Sequence, residues 1–553
     1  MTSGTSAPEP KKQSLGKSSL LMASGTAVSR ALGLVRNILL VAVIGATGLT
    51  ADAFDVANKI PNILYAIIAG GVLNAVIVPQ VTRAYRSKNG DEQVDKLLTF
   101  SATVLFGLTL VCTLGATLIV ALYTSGDWTD QQLGLAVAFG YWCIPQLFFY
   151  GIYTLLGQVL NARGQFGPYM WAPALNNVIS IIGFAAFLLT YGPLAIGSED
   201  DLSQWTGPKI AVIGISATAG VIAQALVLLI PLYRSGFRWK LRFGLRGFGL
   251  RSVGKVGLWT FLALMLDQIA VWVTTRIATA APGSASSGVD VIAGNASYTQ
   301  ALMVYLLPHS LVTVSVATAL FTGMSAAASG GDIAKVRDLV SQGLRVIAVF
   351  TVFATALFLV LSLPITKVMI PTLSVAEVGV VSNVLFAMAF GLVPLGAMVM
   401  MKWVYFAFED GKSIFMFQIP VTIVLMGGAY LFTLLLPGER WVFGIGLAMS
   451  LSNLIAVILR VRGITERLGG LDVARIVRLH VQLIVAAGIS GLGGWLVLSV
   501  WGFDASDSFL WAAFICVIVG TVMTALYLLS LQVMKVQELT ALMNPILQKV
   551  SRR

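Results

Sequence analysis

Apolar residues in this chain run in long blocks, separated by short polar stretches, with little alternation inside each block. About 20 apolar residues at 1.5 Å each cross a ~30 Å hydrocarbon layer, so each block predicts a transmembrane helix. Fourteen spans are predicted, near 20–44, 54–83, 97–124, 131–157, 170–192, 207–233, 252–280, 296–325, 340–363, 376–403, 413–436, 441–463, 478–501 and 508–534. The links between them are too short for an inserted soluble domain. The fold class is therefore an all-α polytopic membrane protein of about 14 transmembrane helices.

Composition agrees: 57% of the 553 residues are hydrophobic and only 11% are charged. The polar, basic first 19 residues lack the short apolar core and small-residue cleavage site of a secretory signal, so none is expected. Charge sets the orientation. With the N-terminus inside, 29 of the 36 lysines and arginines fall on the cytoplasmic side. That group includes Lys402 and Arg460, placed at span ends. Three fall outside (Lys209, Lys367, Arg440) and four lie within spans (Arg30, Arg36, Lys59, Arg276). This asymmetry predicts a membrane protein with both termini cytoplasmic. The net charge of +12 is thus a topology signal, and no nucleic-acid partner is expected.

The heaviest basic loop, Arg234 to Lys255, lies near the midpoint and reads as a linker between two six-helix halves. A weak repeat supports this. Gly90-Asp91 and Lys96 match Gly331-Asp332 and Arg337, while Gly164 and Pro173 match Gly411 and Pro420. The predicted division is a cytoplasmic basic tail 1–19, a first lobe 20–233, a linker 234–251, a second lobe 252–463, helices 13 and 14 within 464–534, and a tail 535–553. Parallel six-span repeats flanking a central site are a known transporter plan.

Polar residues inside the spans are the candidates for function. Arg30 lies about 15 Å into the first span and Arg36 about 9 Å further. Facing lipid, each would cost roughly 2.5–3.5 kcal/mol, so a cavity that receives an anion is predicted. On span two, Asp52, Asp55, Lys59 and Asn62 fall within about 80° of one another at 100° per residue. They form one polar stripe, either cavity lining or an interhelical ion pair. Pro61, Gly70-Gly71 and Pro79 interrupt that helix.

Arg276 lies toward the outer end of span seven and either snorkels or faces the cavity. Asp267, nearer mid-membrane, is protonated, paired or bound to a monovalent cation. His309 reads as a hydrogen-bonded interior residue. The three cysteines, Cys112, Cys143 and Cys516, sit apart in apolar runs and read as core. No metal-ligand spacing and no phosphate loop is present in the sequence.

Ser29-Arg30-x-Leu-Gly-x-x-Arg36, Ala51-Asp52-Ala53-Phe54, Lys59-Ile60-Pro61-Asn62 and Val78-Pro79 resemble the opening of the MurJ/MviN family. The similarity continues through Leu160-Asn161 to Pro173-Ala174-Leu175-Asn176, and the fourteen-span layout fits the whole chain. The resemblance implies a lipid II flippase of the larger MOP exporter superfamily. It implies two lobes around a central cavity, a groove for the lipid tail on helices 13 and 14, and no catalytic residues. Arg30 and Arg36 match cavity arginines, and Asp52, Lys59 and Asn62 match polar positions of the second span.

Tyr65, Gly70 and the uncharged Tyr298-Thr299-Gln300-Ala301 depart from charged residues common in the family, and Arg276 is the candidate substitute. Partners implied are lipid II, membrane lipids, and cell-wall or division proteins. No cofactor is implied beyond a coupling cation, Na+ or H+, with Asp267 as its candidate ligand. The alternatives are another MOP-type exporter, for polysaccharide units or drugs, and a non-transporting scaffold of cell-wall synthesis.

Overall fold

The computed structural model describes residues 15–69, 90–195, 200–244, 255–285 and 291–538. Gly70-Gly71, Val78, Pro79 and much of the predicted basic loops lie outside these residues. The described residues form helices and connecting turns, with no strand among them.

Numbered by span, the helices are α1 Leu15–Ile44, α2 Gly48–Ile68, α3 Gly90–Leu114 with its continuation Ala116–Tyr123, α4 Asp130–Ala162, α5 Phe166–Tyr191, α6 Gly207–Arg234 and α7 Lys255–Ala280. They continue with α8 Asn295–Ser329, α9 Ile333–Met369, α10 Val375–Ala389 plus Leu392–Ala407, α11 Gly411–Leu435, α12 Trp441–Arg467, α13 Val473–Trp501 and α14 Phe509–Val533. Twelve of these are long and apolar enough to span a membrane, and α10, bent by 50°, makes a thirteenth. The remaining one, α2, carries the polar stripe.

Breaks recur at matching places. α4 breaks at Ile144-Pro145, because proline supplies no N–H to the helix. α10 breaks at Phe390-Gly391. Helix pairing repeats as well. α1 packs on α5 as α7 packs on α11, α5 on α6 as α11 on α12, α2 on α4 as α8 on α10, and α4 on α6 as α10 on α12. The last two helices pack on each other and on α9, where Tyr527 Oη donates to the Val349 carbonyl (2.9 Å).

The two six-helix groups meet at the end where α1 finishes and α2 begins, here called the far end. The opposite end, which carries the cation-rich links, is the basic end. Val41 and Ala46 of α1 and its turn pack inside the apolar cluster of the second group. Trp128 Nε1 donates to the Thr279 carbonyl (3.0 Å) and Trp272 Nε1 to the Leu122 carbonyl (2.6 Å), both at this end.

The seam is tightest at the first turns of α2 and α8. The first N–H groups of a helix have no partner within it, and in a membrane they must find one elsewhere. Neither N-cap residue, Thr47 of α2 or Gly294 of α8, caps its own helix through a side chain. For α8 the first group supplies the acceptor; for α2, Leu49 N in the first turn donates to Asp200 Oδ1 of its own group (2.9 Å), and the second group accepts from the turn that leads into the helix. Asp52 Oδ1 accepts from Ala296 N (2.7 Å). Glu377 Oε1 accepts from Ala46 N (2.8 Å), Thr47 N (3.1 Å) and Thr47 Oγ1 (3.1 Å). Glu377 Oε2 accepts from Ser374 N (2.9 Å), closing a capping box on α10. Both carboxylates are buried, at 1% and 4% exposure. A Cβ on Gly294 would strike the Asp52 carboxylate, so only glycine fits there.

Replacing Glu377 with alanine should loosen the seam. Cap removal costs about 0.5–2 kcal/mol. With the native cysteines replaced by alanine, Ser297→Cys, which sits in the seam beside Ala46, reports opening through its rate of thiol labelling. The expected effect of Glu377→Ala, and of Gly294→Ala, is a labelling rate raised about tenfold. An unchanged rate in both variants rejects the latch.

Candidate functional site

The predicted polar residues lie along this seam and just below it, toward the basic end. On α2, Asp52, Asp55, Lys59 and Asn62 share a face, as their spacing requires. Lys59 Nζ is 3.2 Å from Asp55 Oδ2. Both residues meet one amide of the other lobe. Lys59 Nζ donates to Asn295 Oδ1 (2.8 Å), and Asn295 Nδ2 donates to Asp55 Oδ2 (2.6 Å). Thr299 Oγ1 also donates to Asp55 Oδ2 (2.8 Å). The stripe is therefore an interlobe bridge, and Asn295 and Thr299 supply the second half. Asn62, one turn further, is exposed and donates to the Asn58 carbonyl (3.1 Å).

On α1 the two arginines diverge. Six residues at 100° each place them about 120° apart around the helix. Arg30 is exposed and crosses to the second lobe, where Nη1 donates to Ser310 Oγ (2.5 Å). Ser310 lies in a π-helical turn, His309–Thr313, inside α8. Such turns often mark functional positions. Arg36 is half-buried and turns into the first lobe, beside Tyr150 of α4. Asn37 Nδ2 donates to Gln300 Oε1 of α8 (2.7 Å), a further link between the lobes.

Tyr65, where the family commonly has arginine, hydrogen-bonds Thr154 and packs against Tyr150 with ring centroids 5.6 Å apart. Arg276 lies over the Trp272 ring, 6.0 Å from its centroid, at the far-end seam.

Asp267 is on α7, inside the second lobe. Gln418 Nε2 donates to its Oδ1 (2.7 Å). Gln418 Oε1 accepts from Arg460 Nη2 (3.4 Å), and the charge of Lys402 also acts on Asp267. Lys402 and Arg460 were read from the sequence as cations at span ends. Both lie within helices instead, and Arg460 is only 1% exposed. Their partner Asp267 sits 135 and 193 positions away in the chain, which hid the cluster from local reading. Among the described residues, no group of three His, Cys, Asp or Glu side chains is placed to hold a metal ion.

Known proteins share this fold. Residues 40–537 match the family model described as "Lipid II flippase MurJ". The lipid II flippase MurJ of Burkholderia cenocepacia is 27% identical over 490 residues, covering 87% of this chain and 90% of that protein. The probable lipid II flippase MurJ of Haemophilus influenzae is 26% identical over 467 residues, covering 80% and 84%. Among solved structures, a lipid II flippase MurJ in an inward closed conformation superposes with a TM-score of 0.70 at 19% identity, covering 93% of this chain and 99% of that one. An inward-facing multidrug resistance MATE family transporter of the MOP superfamily follows the same fold, with a TM-score of 0.64 at 15% identity over 81% and 98%. The family match spans nearly all of the fourteen-helix body, and the chain belongs to the lipid II flippase MurJ family.

Proposed function

We propose that this protein moves lipid II, the lipid-linked peptidoglycan precursor, from the inner to the outer leaflet of the bacterial cytoplasmic membrane by alternating access. The observation that carries the reading is the family match over residues 40–537. The geometry supplies a mechanism. The diphosphate and sugar-peptide headgroup cannot cross hydrocarbon with its polar groups unsatisfied. Arg30, with its fork of N–H donors, takes the diphosphate through charge-assisted hydrogen bonds, and Arg36 adds a second cation one and a half turns on. Asn62 is the neutral contact. Asp52 and Lys59 belong to the far-end seam and come free to meet the headgroup when it parts, with Arg276 at its edge. The tail stays in lipid along α13 and α14.

The basic end faces the cytoplasm in this reading, so the described arrangement is closed toward the outside. The lobes then rock about the site. No covalent bond changes, so no side chain acts as a catalyst. The work comes from the membrane potential or a cation gradient. Cell-wall and division proteins are the expected protein partners. An exporter of cationic drugs would need acidic groups where Arg30 and Arg36 stand.

Two measurements test the reading. Arg30→Ala and Arg36→Ala should each abolish complementation of a flippase-depleted strain at normal protein level, with lipid II accumulating in the inner leaflet. Lysine should restore part of the function, and Arg276→Ala should be milder. Full growth of the double alanine variant removes the diphosphate role. For orientation, in a background without the native cysteines, Ser203→Cys should react with an impermeant thiol reagent in intact cells. Arg238→Cys should react only after permeabilisation. The reverse pattern inverts the assigned direction of closure.

A further inference from the structure

The second lobe encloses a charge cluster that headgroup binding does not use. Four helices contribute to it: Asp267 from α7, Lys402 from α10, Gln418 from α11 and Arg460 from α12. Arg460 lies seven residues, about 10 Å, inside the basic end of α12. It is among the largest fully buried side chains, and Gln418 is also buried. Tyr405 Oη donates to the Arg460 carbonyl (3.5 Å), which ties α10 to α12 beside the cluster. The charges of Lys402 and Arg460 act on Asp267, and that of Asp267 acts on both.

We infer that Arg460 and Lys402 are the built-in counter-ions of Asp267, so that this pocket takes no alkali-metal ion and the second lobe does not discriminate sodium from potassium. The donor chemistry carries the argument. A hard monovalent cation needs several oxygen ligands and a net negative surround. Here one carboxylate lies in the field of two fixed cations, with Arg460 linked to it through Gln418. Its Oδ1 is engaged by the Gln418 amide N–H, and the Gln418 oxygen is turned to Arg460.

Arg460 adds further donors. Arg460 Nε and Nη1 are buried and have no hydrogen-bond partner among the described atoms. They present N–H groups where a metal would need lone pairs. Thr422 Oγ1, one turn along α11 from Gln418, is a buried hydroxyl without a partner among those atoms. A single hydroxyl cannot make up a coordination shell. The tethered guanidinium and ammonium supply the charge that an exchangeable cation would otherwise bring to the carboxylate. Asp267 is half-buried, and a carboxylate there stripped of such partners is costly.

The test is independent of lipid II, so its outcome is separate from that of the flippase reading. The full chain, purified in detergent, is melted in sodium, potassium and choline chloride at equal ionic strength. Saturable binding of radioactive sodium is measured on the same preparations. A ligand that binds the native state raises the melting midpoint in proportion to its occupancy. The wild-type midpoint should be the same in all three salts, with no saturable sodium binding.

Arg460→Lys should behave like wild type, since it keeps the charge. The Lys402→Gln/Arg460→Gln double variant leaves Asp267 unbalanced. It should melt lower in choline and regain a few degrees in sodium, and adding Asp267→Asn should abolish that gain. A sodium-specific rise or saturable sodium binding in the wild type, lost in Asp267→Asn, overturns the inference. So does a folded double variant that is no more sodium-sensitive than wild type. If the double variant does not fold, the wild-type measurements and Asp267→Asn alone still decide.

Discussion

Two carboxylates exchanged between the lobes hold the arrangement together. A helix that begins inside a membrane protein exposes N–H groups that neither lipid nor its own backbone can satisfy. α8 begins that way at the far end and takes its acceptor, Asp52, from the opposite lobe, while the first turn of α2 is met by Asp200 of its own lobe and Glu377 of the opposite lobe accepts from the turn that leads into it. A charged cap is worth about 1 kcal/mol, rising toward ~2 in a partly buried setting. Two of them, with the Asp55–Lys59–Asn295 bridge, hold the seam by a few kcal/mol, the size of gap that separates interconverting states. A much stronger latch would lock the lobes and a much weaker one would let them drift.

That closure also explains how α1 serves both halves. Its two arginines point about 120° apart, so one helix holds a cation toward each lobe. Arg30 reaches α8, and Arg36 rests near Tyr150 of α4. The region is less basic than the family pattern suggests. The position that is often arginine is Tyr65, and its hydroxyl is engaged by Thr154 within the first lobe.

Much of this was legible in the sequence because long apolar blocks have one physical solution in lipid. The span order, the polar stripe of α2 and the repeat marked by Pro173 and Pro420 all correspond to structural features. What stayed hidden was pairing over distance. Ser374-Val375-Ala376-Glu377 is readable as a capping box, yet the second duty of Glu377, on residues 330 positions away, leaves no local trace. Lys402 and Arg460 misled for a related reason. A cation near the end of an apolar block normally marks the membrane surface. Asp267 and Gln418 allow these two to lie inside. The divergence of Arg30 and Arg36 was implicit in their six-residue spacing, but its meaning depended on where α4 and α8 stand.

The bond from Arg30 to Ser310 bears on turnover. If Arg30 takes the diphosphate as proposed, the arriving anion must displace a hydroxyl before it gains the guanidinium, because this arginine already has a partner. A hydrogen bond to a charged group is worth about 1.5–3 kcal/mol, and breaking it weakens apparent affinity by roughly ten- to a hundredfold. The same exchange runs backward at the other leaflet. Ser310 competes for the arginine as the cargo leaves and shortens its residence time. A carrier gains throughput from moderate affinity, and this serine is placed to set it.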